Sequence, residues 1–385
     1  GDTVLVRGGT YYPTDAPAGC PAIFECGTVM ELRNKSGTPN AWITIKAYQD
    51  TQGRYERVVL NETNYDGQGN LLQHKQAVWI LRGSSYIVID GLEVTGTPIP
   101  AQYTPVGCDL QGQVPPVCNM TTLGRSFVGF SIGEGAGTQS GAVHDIIVKN
   151  SIVFDTATLG SWIYGFKVNL DPSYNILFER DWARNTGGGF GAGESHISNL
   201  SQIPYNITVK YSSASDITSG GGNSNGFVFR GAHNSVVTHN VAYNISDTGA
   251  GSQGPWADNN IFENNVIYGM RPNHNPFLAS GPEPGNGRGI QVQNVNGNYL
   301  YGTNGFPQLT GGNNTVIRYN VIFNLGDGTA QEDGITSPDG SQNESIYNNV
   351  IFDNSRWGLF TDTDVGGGSA VTIGTTIKNN IAHSN

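Results

Sequence analysis

Five ionisable residues fall at related places in this chain: Lys167, Glu194, His196, Arg230 and His233. An amine, a guanidinium, a carboxylate and two imidazoles are the groups needed to abstract a proton beside a carboxylate. That reaction requires the carboxylate to be neutralised and a base to stand close to the carbon. Lys167 and Arg230 suit the first task. His196 or His233 suits the second, as does Lys167 if burial strips it of water. Glu134 and Glu194 offer another chemistry, because paired carboxylates at a controlled separation hydrolyse glycosides. Asp339, Asp362 and Asp364 form a further acidic group, suited equally to hydrolysis or to a calcium ion held by hard oxygen ligands.

What relates these residues is a recurring phrase: GFSIGE, GFKVNL, GFGAGE, GFVFRG, GIQVQN, GITSPD and GLFTDT, led by Gly129, Gly165, Gly189, Gly226, Gly289, Gly334 and Gly358. Four places after each glycine stand Gly133, Asn169, Gly193, Arg230, Gln293, Pro338 and Asp362; two places after stand Ser131, Lys167, Gly191, Val228, Gln291, Thr336 and Phe360. In stacked turns, equal offsets share one face. The five ionisable residues would then span three turns, about 10 Å along the stack. Gln253, Gln291 and Gln293 continue the stripe as sugar-binding amides, with Asn169 beside them. Trp162, Tyr164, Trp256 and Trp357 supply aromatic platforms. Taken singly, a Lys or Arg on such a face is more often a solvated side chain, and either His could bond loop backbone. It is the combination on adjacent turns that points to function.

A second phrase alternates with the first. NNTVIRYNVIFNLGDG (313–328) and SIYNNVIFDNSRWGLF (345–360) nearly repeat each other, and echoes run back to HDIIVKNSIVFD. The column Asn150, Arg180, Tyr211, Asn240, Asn265, Asn320, Asn349 and Asn380 advances by 30, 31, 29, 25, 55, 29 and 31 residues, the 55 reading as two turns. A fixed period of this size marks a solenoid. Alternating Val, Ile, Phe and Tyr make its elements short strands, and helical spacing is lacking. These features predict an all-β, right-handed parallel β-helix occupying 1–385 as one domain. Glycine opening a strand suits a sharp corner through its unusual φ/ψ range, and asparagines can ladder at the corners. A propeller would need four strands per ~40–45 residues, more than these units hold. Segments 97–126 and 271–288 break the period and read as side loops that wall a groove.

Composition narrows the partners. The net charge of −11 argues against nucleic acid, and no apolar run is long enough to span a membrane. Cys20 with Cys26, and Cys108 with Cys118, form two close pairs that read as loop disulfides in an oxidising compartment. A zinc site is the rival reading, but no His accompanies either pair. Sequons recur at Asn34, Asn61, Asn119, Asn199, Asn206, Asn244, Asn313 and Asn343. The chain opens on what reads as a first coil turn and closes in a repeat without a polar cap. The expectation is a secreted, extracellular protein whose leader was removed. Its native chain either continues past 385 or self-associates through an uncapped end.

The opening GDTVLVRGGTYY, followed by ITIKAYQD and SSYIVIDGLEVTG, resembles secreted β-helix polysaccharide lyases, and is most similar to the family 9 pectate lyases. In that family an N-A-D-G-F segment and an N-x-D-D-G-x-D segment supply calcium-binding aspartates. The matching stretches here are NSNGF (223–227) and NISDTGAG (244–251). Asn225 stands where the first Asp would be, Asp247 is kept, and Thr248 and Gly251 replace others. The family's catalytic Lys lies in G-N-G-F-K, whereas GNGRGIQVQ (285–293) has no Lys. The resemblance implies a calcium-assisted lyase, with part of its ligand set and its lysine changed.

Three functions follow for a chain whose partner is a polysaccharide or oligosaccharide. One is a lyase cleaving uronate-containing polysaccharide by β-elimination. Another is a glycoside hydrolase using the paired carboxylates. The third is a non-catalytic adhesin, sugar-binding module or filament subunit.

Overall fold

The computed structural model describes residues 1–12, 28–62, 64–65, 71–72, 76–96, 128–133, 141–156, 164–169, 172–193, 202–217, 224–254, 256–270, 287–293, 313–326, 332–337, 341–361 and 374–384. The alternating apolar segments form short strands, and each circuit of the chain lays one strand in each of three parallel sheets. One circuit comprises His144–Lys149, Ile152–Phe154 and Tyr164–Val168; the next comprises Tyr174–Glu179, Trp182–Arg184 and Gly188–Gly193. Among the described residues the three sheets hold 11, 11 and 10 strands in strict sequence order. This is the expected right-handed parallel β-helix. No helix among the described residues is long and apolar enough to cross a membrane, which leaves strands out of account.

In-register stacking puts like residues on like inside the coil. Phe130, Phe166, Phe190 and Phe227 stack ring on ring, with centroids 5.1, 4.6 and 5.1 Å apart. Ile146, Ile176 and Ile207 pair in the first sheet, and Val153, Ala183, Ala214 and Ala242 in the second. The residues expected inward of the glycines, Phe166, Val168, Phe227, Phe229, Ile290 and Val292, are all buried.

The glycine line is present, with a different cause and one more member. A Cβ at Gly226 would lie 2.4 Å from the Gly249 carbonyl oxygen and 2.7 Å from Ile245 Cδ1. A Cβ at Gly249 would lie 2.8 Å from the Gly289 oxygen. Close approach of stacked backbones therefore excludes a side chain here, and none of these glycines has a left-handed φ. Gly249 fills the rung between Gly226 and Gly289. Likewise the 55-residue step is one circuit, not two, because Val266 pairs directly with Val321. The extra length lies on either side of the third-sheet strand Arg288–Gln293, so Arg288 belongs to that strand and not to a side loop.

The asparagine column needs a one-residue correction in its first three circuits. The inward ladder runs Ser151, Asp181, Ser212, Asn240, Asn265, Asn320, Asn349, Asn380. Each backbone N–H in it donates to the side-chain oxygen of the next member, at 2.8–3.1 Å. Asn150, Arg180 and Tyr211 instead occupy the preceding left-handed corner, with φ of 52, 57 and 54°. Two more corners per circuit are left-handed, including Asp145, Asn175 and Asn206, and Asp155, Asn185, Asp216 and Asn244. Asn and Asp tolerate that conformation better than other side chains. Much of the asparagine content is thus corner chemistry.

Candidate functional site

Outside the coil, the third sheet carries three adjacent columns of side chains. The central one runs Ser131, Lys167, Gly191, Val228, Gly251, Gln291, Thr336, Phe360. On one side lie Gly193, Arg230, Gln253 and Gln293. On the other, Tyr164 pairs with Gly188, and Asn225, Thr248 and Arg288 follow one another. These residues point away from the core yet are recessed from solvent: Lys167 is 4% exposed, Arg230 6% and Gln291 2%.

The polar groups on this face form two hydrogen-bonded runs, one on either side of the circuit holding Gly188–Gly193. Arg230 Nε donates to Gln253 Oε1 at 3.1 Å, Gln253 Nε2 to Gln291 Oε1 at 2.9 Å, and Gln291 Nε2 to Gln293 Oε1 at 3.0 Å. Thr248 Oγ1 also donates to Gln291 Oε1, at 3.3 Å. At the other end Asn169 Nδ2 donates to Ser131 Oγ at 2.7 Å and to the Gly133 carbonyl at 3.0 Å. Such a run fixes rotamers and holds the face ready for a polar ligand.

Between Lys167 and Arg230 the strand Gly188–Gly193 presents glycines outward, at Gly191 and Gly193. The ring of Tyr164 takes the space over Gly191, where a Cβ would meet its Cδ1, Cε1 and Cγ at 2.8–2.9 Å. Lys167 Nζ stands 5.0 Å from the centroid of the same ring. The Tyr164 hydroxyl is buried without a hydrogen-bond partner. An orphaned buried hydroxyl costs ~1–3 kcal/mol, a cost that a hydrogen bond to a bound molecule would remove.

Lys167, Asn169, Arg230, Gln253, Gln291 and Gln293 are therefore brought onto one face, as the sequence predicts. His233 is not in those columns. Its ring stacks on Tyr205 at 5.4 Å, at the end of a ladder through Tyr174 and His144 on the first-sheet side. Burial lowers the His233 pKa, opposed by Asp258, whose own carboxyl is pushed up by burial. Trp256 packs against Ile203 and not along the polar run. Glu134, Glu194, His196, Trp162, Asp339, Asp362, Asp364, the four cysteines and the sequons at Asn119 and Asn199 lie outside the described residues. No cluster of His, Cys, Asp or Glu that could hold a metal occurs among the described residues.

The structure adds the unbonded hydroxyl of Tyr164, and adds Thr248, Arg288 and Asp333 to the face. Arg288 stands one rung beyond Thr248. Two of the sequon asparagines have structural work: Asn206 Nδ2 bonds Asn175 Oδ1 and Asn244 Nδ2 bonds Asp216 Oδ1. The aromatic ladders, including Tyr243, Tyr268, Phe323 and Phe352 on the second sheet, stack face to face. Their π-faces are spent on one another, so they are poor sugar platforms.

No family model matches the chain, and no curated protein matches it. Solved structures do. A lacto-N-biosidase from Eubacterium ramulus superposes with a TM-score of 0.53 at 14% identity, over 99% of this chain and 62% of its own. An alginate lyase from Paenibacillus sp. superposes with a TM-score of 0.53 at 13% identity, over 94% of this chain and 91% of its own. What is shared is the β-helix. This chain spans 62% of the length of the lacto-N-biosidase chain.

Proposed function

We propose that the third-sheet face binds a uronate-containing polysaccharide and cleaves it by β-elimination. The observation that carries this reading is the Tyr164–Lys167 pair beside the Arg230–Gln253 bond, set across a strand without outward side chains. Arg230, held by Gln253, neutralises the sugar carboxylate, and the neighbouring amides hydrogen-bond it. Lys167, withheld from bulk water, accepts the proton from the adjacent carbon. The C–H electron pair becomes the new C=C bond, and the glycosidic C–O bond breaks. The leaving oxygen takes the Tyr164 hydroxyl proton, and proton return from the Lys167 ammonium to the phenolate resets the pair.

The test is a panel of alginate, polygalacturonate and neutral polysaccharides, read for ultraviolet absorbance of the new double bond and for reducing ends. Both signals together on an acidic polymer are expected. Reducing ends without absorbance would make the protein a hydrolase, and neither signal would leave a sugar-binding module.

A further inference from the structure

The same face has a second concentration of unsatisfied polar atoms. Five circuits beyond Lys167, roughly 24 Å along the axis, Thr336 occupies the central column with its Oγ1 buried and unbonded. In the flanking column Asp333 follows Arg288, whose neighbour Gly289 donates its N–H to the Asp333 carbonyl. The Asp333 side chain is 2% exposed; its Oδ2 lies 3.7 Å from Arg356 Nη1, and its Oδ1 has no hydrogen-bond partner. Burial raises the Asp333 pKa, while Arg356 and Arg288 pull it back down, which places both guanidinium charges near this carboxylate.

Trp357, 51% exposed, lies on the next circuit, where its carbonyl accepts the N–H of Gly334. Its ring lies 6.5 Å from that of Phe360, and the Arg356 guanidinium is 5.8 Å from the Phe360 ring centre. Arg356, with its side chain 40% exposed, keeps part of its guanidinium open to a second acidic group. Buried acceptor and donor atoms await hydroxyls, and an exposed indole gives a sugar ring a surface to stack on. An apolar or neutral partner would satisfy only part of this set. Trp357 is near-parallel to Phe360, at 19°, but the separation is wider than in the other ladders and the residue stays 51% exposed.

We propose that Arg288, Asp333, Thr336, Arg356 and Trp357 form a remote subsite for an acidic sugar residue of the same polymer that is cleaved at Lys167. This rests on the reading of the Lys167 site given above. The polymer then lies along the helix axis, and affinity depends on chain length, because a trisaccharide at Lys167 cannot reach Trp357 and an octasaccharide can.

The experiment uses Trp357→Ala and Arg356→Gln, both at exposed positions that the core does not depend on. Each is made in the wild type and in a Lys167→Ala background that prevents turnover. Alginate and polygalacturonate trisaccharides and octasaccharides are titrated by calorimetry. The expected result is at least a tenfold loss of octasaccharide affinity with trisaccharide affinity unchanged. Unchanged octasaccharide affinity, or equal losses at both lengths, overturns the subsite. Absence of double-bond absorbance from the wild type on both polymers sinks the reading at Lys167 instead. Elimination with length-independent affinity sinks only the subsite.

Discussion

Tyr164 and Lys167 stand three residues apart on one strand, in neighbouring outward columns, with Lys167 Nζ 5.0 Å from the ring centroid. The pairing exists because Gly191 on the next circuit leaves room for the ring. If the pair moves protons, Lys167→Ala and Tyr164→Phe should each lower elimination by about 10²-fold or more, while octasaccharide affinity changes little. The Phe variant keeps the ring and removes only an unbonded hydroxyl, so its melting temperature should hold or rise. A Tyr164→Phe protein with full activity would leave the hydroxyl without a catalytic role.

Arg230 separates charge from geometry. Arg230→Lys retains a cation but loses the Nε donor that bonds Gln253. Guanidinium and ammonium are not interchangeable where orientation is fixed. The expected outcome is about tenfold weaker binding of acidic oligosaccharides, with a smaller change in melting temperature. Arg230→Ala should weaken binding further. A large stability loss with binding unchanged would make Arg230 a structural residue.

How far the site was legible follows from its repeat. Lys167, Arg230, Gln291 and Gln293 could be placed because each follows a glycine and an aromatic or branched residue at a constant offset. Gly249 was hidden because its circuit reads TGAGSQ, with Ala250 where neighbours have Phe or Ile. The asparagine column slipped because later circuits carry doublets, as at Asn264–Asn265 and Asn348–Asn349, while Ser151, Asp181 and Ser212 hold the inward place earlier. His233 follows Arg230 by only three residues, but the chain turns between them, and its ring joins the tyrosine ladder. Sequence spacing cannot show that corner, nor the unbonded state of the Tyr164 hydroxyl.

Glu344 should give the protein a pH-dependent stability. It is buried, with Ser337, Ser341 and Thr375 about its carboxyl, and burial raises its pKa from 4.5 to about 7 despite those hydrogen bonds. The fold favours the protonated form. Its stabilising effect is full below 4.5 and is lost as pH rises through about 7, a difference of about 3 kcal/mol. Glu344→Gln should match the wild type at acid pH and exceed it above neutrality. Denaturant melts across pH check this; parallel curves for both proteins would show that the carboxyl does not titrate in this range.

Asp181 is the one ionisable rung in the inward ladder. Its Oδ1 accepts the Ser151 N–H at 2.8 Å and its Oδ2 the Glu179 N–H at 3.1 Å. Burial nevertheless pushes its pKa well above the usual carboxylate value, with those N–H groups only opposing it. Asparagine rungs do more: Asn240, Asn265, Asn320, Asn349 and Asn380 each donate Nδ2 to a carbonyl on the preceding circuit, namely those of Val209, Val237, Phe262, Ile317 and Ile346. By that register the carbonyl facing residue 181 is that of Val148. Asp181→Asn should donate there and remove the cost of a buried charge, for a gain of about 1 kcal/mol at neutral pH. Because the raised pKa makes the wild type weaker as pH rises, the gain should shrink toward acid pH, where Asp181 is protonated in both folded and unfolded chains. Melting temperatures of the two proteins at acid and neutral pH test this. A variant less stable than the wild type at neutral pH would mean that the Glu179 N–H needs the second carboxylate oxygen more than Val148 needs a donor.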